Sequence, residues 1–80
     1  MDPFIGMIQA FPYSYAPRGW ALCNGAELLI NQNSALFSLI GFKFGGDGQQ
    51  TFKLPNLMGA APDPGMQYYI AVEGLYPSRW

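Results

Sequence analysis

Residues 19–57 carry, in order, a tight-turn signal, a short apolar helix pattern and a glycine cluster. No other stretch constrains the fold as much. Asn24-Gly25 separates residues 20–23 from residues 26–30, and Asn and Gly both tolerate positive φ. The pair therefore predicts a two-residue type I′ turn joining antiparallel strands. Asn33-Ser34 then precedes Ala35-Leu-Phe-Ser-Leu-Ile40 and Gly41. That order predicts an N-cap at Asn31 or Asn33, two apolar turns and a glycine stop. Leu36, Phe37, Leu39 and Ile40 make one broad face for a sheet, with Ser34 and Ser38 pointing outward. Residues 51–54 alternate, placing Phe52 and Leu54 on one face and Thr51 and Lys53 on the other, before Pro55 stops the strand.

Outside this stretch the two ends look like partners. Residues 4–11 read as a strand with Ile5, Met7, Gln9 and Phe11 on one face. Phe4, Gly6, Ile8 and Ala10 take the other, so neither face is polar and both need cover. Residues 66–73 read as the second long strand, and the two are expected to pair, joining the termini. Pro12 ends the first strand, and residues 13–18 form an irregular loop. Tyr13 and Tyr15 are expected at the core edge, with an exposed aromatic rim as the alternative. Trp20 is expected to anchor the core, and Cys23 to be a buried small hydrophobe. The tail, residues 74–80, is too apolar to dangle in solvent and should pack on its own domain or on a neighbour. The expected fold is α+β: one small, mainly antiparallel β domain over residues 1–80 with one short helix.

These elements resemble a known family. Gly19-Trp20-Ala-Leu-Cys-Asn-Gly25, a helix rich in Leu and Phe, and Phe44-Gly-Gly-Asp-Gly48 followed by Thr51-Phe-Lys-Leu-Pro-Asn-Leu57 are similar to the phage tail collar domain. That family includes the microcystin-dependent proteins. Residues 1–6 and 69–79 also match the two ends of such proteins. The resemblance implies a tail-collar-like fold, and relatives among phage short tail fibres, which are trimers that attach to cell-surface polysaccharide. In those fibres the receptor face and a metal site look as if they lie in a long His-bearing insertion. Here that insertion is replaced by Met58-Gly-Ala-Ala-Pro-Asp-Pro-Gly65, without His and without the family's two arginines.

The residues exclude most chemistry. His is absent, so the side chain best suited to proton transfer near neutral pH is missing. Ser14, Ser34, Ser38 and Ser78 lack a His base, and Cys23 lacks a His partner. No spacing makes two carboxylates converge. Gly45-Gly-Asp-Gly48 is followed by neither Gly-Lys-Ser/Thr nor a helix, so it reads as a surface loop rather than a phosphate loop. No cofactor or metal site is expected. The four basic side chains are scattered, which argues against nucleic-acid binding. No apolar run approaches the roughly 20 residues of a membrane span. Asp2 stands where a secretory signal has Lys or Arg, and no apolar core follows, so no Sec-type signal is expected.

What remains is association. Half of the 80 residues are hydrophobic and 11% are charged, against about 25% in ordinary domains. So few charges cannot hide two Trp, five Tyr and six Phe in so short a chain. The sequence points to a non-enzymatic structural protein, a self-assembling subunit of an extracellular filament or phage-tail-like appendage. The partner is then the chain itself. The alternative is a receptor- or carbohydrate-binding attachment module on cell-surface polysaccharide, with Trp80, Tyr13, Tyr15 or Tyr76 as the sugar platform. For self-association the expected contacts are Phe4, Ile5, Met7, Tyr13, Tyr15, Leu75, Tyr76 and Trp80.

Overall fold

Strand β5, Gln67–Ala71, is the element around which the others assemble in the computed structural model, which describes residues 3–61 and 63–77. Tyr69, Ile70 and Ala71 are all buried, although they alternate between the two faces of the strand. Burial on both faces requires cover from two sides. Strands β1 (Ile8–Phe11) and β2 (Trp20–Leu22) flank β5 in a three-stranded sheet ordered β1-β5-β2, with both pairings antiparallel. The expected pairing of the chain ends is therefore present. It is shorter than the alternation suggested, because Met7 N–H turns back to the Phe4 carbonyl at 3.0 Å and delays β1 until Ile8.

A second, two-stranded antiparallel sheet joins β3 (Glu27–Leu29) to β4 (Thr51–Lys53). Here the expected hairpin fails. β2 and β3 flank Asn24-Gly25 but lie in different sheets, and neither pairs with the other. Gly25 does have positive φ, +80°, whereas no non-glycine residue among those described does, so the turn is not type I′. Asn24 accepts a hydrogen bond from Ala26 N–H on its own Oδ1 at 3.0 Å and forms an antiparallel bridge with Asn56. The chain turns a corner between sheets because each strand finds a better-buried partner far along the sequence.

Helix α1, Ser34–Ile40, has the expected span and stops at Gly41, with Ser34 and Ser38 exposed. A single 3-10 turn, Ile30–Gln32, leads into it. Asn33 occupies the N-cap position without capping: its side-chain amide donates to the Leu29 carbonyl at 3.1 Å and ties the helix start to β3. Leu36 is the buried residue of the helix, and it joins Cys23, Phe52, Leu54 and Ile70 in the hydrophobic core. Cys23 is the buried hydrophobe expected, and burial pushes its thiol up to about 11.

Trp20 is not a core anchor. It is half-buried and pairs with Ala71, on the face of the sheet away from Ile70. There it meets Phe11 edge-on, with ring centroids 5.0 Å apart. Phe11 also packs on Tyr69 at 5.9 Å, and the Tyr69 hydroxyl donates to the Tyr13 carbonyl at 2.7 Å. The second face of the sheet is thus covered by an aromatic layer from β1, β2 and the loop of residues 12–18.

Candidate assembly surface

The aromatic layer continues outward into solvent. Tyr13 stacks on Phe11 at 5.5 Å, and Tyr15 stacks on Tyr13 at 5.8 Å. Tyr13 is exposed and Tyr15 is 69% exposed, so these two residues form a rim rather than the edge of the core. Stacked rings of this kind present a contiguous aromatic face.

A second apolar patch forms where the tail returns to the first segment. Leu75 N–H donates to the Pro3 carbonyl at 2.8 Å, and Ile5 N–H donates to the Leu75 carbonyl at 2.8 Å. Phe4 and Leu75 form a parallel bridge, and both are exposed, as is Met7 beside them in sequence. Tyr76 is also exposed, yet its hydroxyl lies 2.7 Å from the Ser38 hydroxyl of α1. The tail therefore packs on its own chain through Leu75 and Tyr76 while keeping apolar side chains outward. Ile5 differs from the other expected contacts: it is half-buried and packs on the core. Trp80 lies outside the described residues.

Sequence reading overlooked Ile8, which is exposed at the start of β1. The signal was available, since residues 3–17 contain no charged side chain at all. Phe42, Phe44, Met58 and Leu29 are exposed elsewhere. Leu29 borders a recess of about 380 Å³ that Ile30, Asn31, Ser34, Gln49 and Gln50 complete.

The glycine cluster is a fixed turn. Asp47 Oδ1 accepts from the backbone N–H groups of Gln49, Gln50 and Thr51 at 2.8–2.9 Å. Hydrogen bonds to the ionised form stabilise it, led by those from Thr51 and Gln50, and the carboxyl falls to about 2. All of its strong contacts are internal. Among the described residues, no three His, Cys, Asp or Glu side chains gather as metal ligands do.

The model of the phage tail collar domain matches residues 6–62. The chain belongs to the phage tail collar domain family. The match takes in every element from β1 to β4 but ends before β5. The resemblances noted at residues 1–6 and 69–79 thus fall almost wholly outside it. Comparison with curated proteins and with solved structures gave no match. The collar domain is a structural family of phage tails. Among the described residues no helix is long and apolar enough to cross a membrane.

Proposed function

We propose that this collar domain is a non-enzymatic structural subunit that assembles with copies of itself into a phage-tail-like appendage or extracellular filament. It would work there as a single domain over residues 1–80. The observation that carries this reading is the exposure of Phe4, Met7, Tyr13 and Tyr15 on the charge-free residues 3–17, with Leu75 exposed beside Phe4. Exposed apolar area of this kind marks contact sites, and the shortage of charge leaves little to oppose association. The aromatic stack also suits a contact surface, because exposed Tyr rings offer large amphipathic faces.

A stable assembly buries about 1,200 Å² or more of total surface. The test is sedimentation of the purified chain with negative-stain microscopy across protein concentration and salt. Oligomers or filaments that persist in high salt are expected, since apolar attraction is not screened. A chain that sediments as a monomer at high micromolar concentration, in low and high salt alike, would refute self-assembly. The second reading would then lead: attachment to cell-surface polysaccharide, favoured by the outward face of Tyr15 in the Tyr13–Tyr15 stack. Glycan-array binding lost in Tyr15→Ala would support it.

A further inference from the structure

Strand β1 is an end strand, and its backbone shows which groups it leaves unpaired. Ala71 N–H donates to the Met7 carbonyl at 2.9 Å, on the β1 side of β5. Cys23 N–H donates to the Tyr68 carbonyl at 3.0 Å and Val72 N–H to the Gly19 carbonyl at 2.8 Å, on the β2 side. Antiparallel ladders alternate, and the register pairs Gln9 with Tyr69 and Phe11 with Gln67. The Met7 carbonyl and the backbone groups of Gln9 and Phe11 therefore turn inward to β5. Ile8 and Ala10 turn theirs outward, to an edge that no strand among the described residues covers.

Natural sheets usually blunt such an edge with charge, proline or a bulge within the strand. Gly6 and Met7 bulge against Ala71 just before the strand and Pro12 follows it, but Ile8–Phe11 itself has none of these, and along the described sequence its nearest charged residue is Arg18. We propose that this edge pairs with the same edge of a second copy, antiparallel and about a two-fold axis at Gln9, to make one continuous six-stranded sheet. The proposal rests on the self-assembly reading above and names one contact of it, a two-fold contact that closes on two copies. In that register Ile8 faces Ala10 of the other copy and Ala10 faces its Ile8, giving four backbone hydrogen bonds. Gln9 meets its own copy across the axis, and Met7 meets Phe11.

A second copy is the occupant the edge favours. The two outward residues offer equal numbers of donors and acceptors, so the edge complements itself. A charge-free segment meets its copy without like-charge repulsion. The strand is also flanked by exposed Phe4, Tyr13 and Tyr15. At about 150–250 Å² per aromatic side chain, their open fractions carry about 300 Å² per subunit. Met7, Ile8 and the strand backbone add to this, toward the roughly 800 Å² per partner of a standard interface.

The test places charge on the axis in the full chain. Gln9 is exposed and its backbone bonds to β5 are unaffected by its side chain, so Gln9→Lys and Gln9→Glu should fold, which a cooperative melt checks. Each alone should raise the dissociation constant about ten-fold at low salt, because like charges then face each other. An equimolar mixture should recover association as a Lys–Glu heterodimer. In parallel, the amides of Ile8 and Ala10 should exchange slowly in concentrated wild-type protein and quickly on dilution. Wild-type association with both single variants unaffected and no concentration-dependent protection would overturn the edge while leaving self-assembly standing. A monomeric wild type would overturn both.

Discussion

Gly46 sits where the backbone of β4 comes closest. A Cβ there would lie 2.5 Å from the Phe52 Cα and 2.7 Å from the Thr51 carbonyl oxygen, at φ +94°. Backbone cannot swing aside, so Gly46→Ala is expected to destabilise by about 2–4 kcal/mol, read from chemical denaturation. Gly25→Val should also destabilise, since φ is +80° and a Cβ would meet the Asn56 side chain at 3.4 Å. Asp47, in the same loop as Gly46, gives a pH signature. Its folded carboxyl titrates at about 2, below the ordinary value of 3.8, so it stabilises the fold above about pH 4. That contribution fades as pH falls from 4 through 2. Asp47→Asn should therefore melt lower than wild type at pH 7, with the gap closing toward pH 2. A gap that stayed constant over that range would contradict the assignment.

At the scale of elements, α1 stands or falls with Leu36. Seven residues make a helix too short to persist alone, so its stability comes from the face it buries. Leu36→Ala should cost about 2–5 kcal/mol in thermal or chemical unfolding, because the site is enclosed by core side chains. Trp20 lies outside that core. Half-buried against Phe11, it should lose less than the roughly 3–5 kcal/mol of a fully buried aromatic when cut to Ala. The Trp20→Ala protein is therefore expected to fold and to melt cooperatively, where a core anchor would have left it unfolded.

The whole molecule is held by sequence-distant pairings. β1 with β5 and β2 with β5 bring residues near both ends of the chain into one sheet. β3 with β4 closes across the helix and the Asp47 loop. With no group of potential metal ligands among the described residues, EDTA should leave the melting temperature unchanged. A fall of several degrees would reveal a bound ion. Removal of residues 75–80 should expose Ile5 and the core edge that Leu75 hydrogen-bonds beside, so truncation is expected to lower stability as well as alter assembly.

What the sequence determined by itself was mostly local. The helix between Asn33 and Gly41, the alternation of Phe52 and Leu54, and the positive φ at Gly25 follow from neighbours a few residues apart. The pairing of the two end strands was also legible, because both are apolar on two faces and the termini offered the only long partners. So was the family, through motifs spread over residues 19–57. Tertiary structure decided the rest. Asn24-Gly25 dictates that the chain turns, but not whether the flanking strands pair with each other. β5 and β4 took those partners, since burying Tyr69, Ile70, Ala71 and Phe52 outweighs any local hairpin. The place of Trp20 and the rim of Tyr13 and Tyr15 depended in turn on which sheet face the core filled. The outward edge of β1 followed last, because backbone direction alternates only once a ladder exists to alternate against.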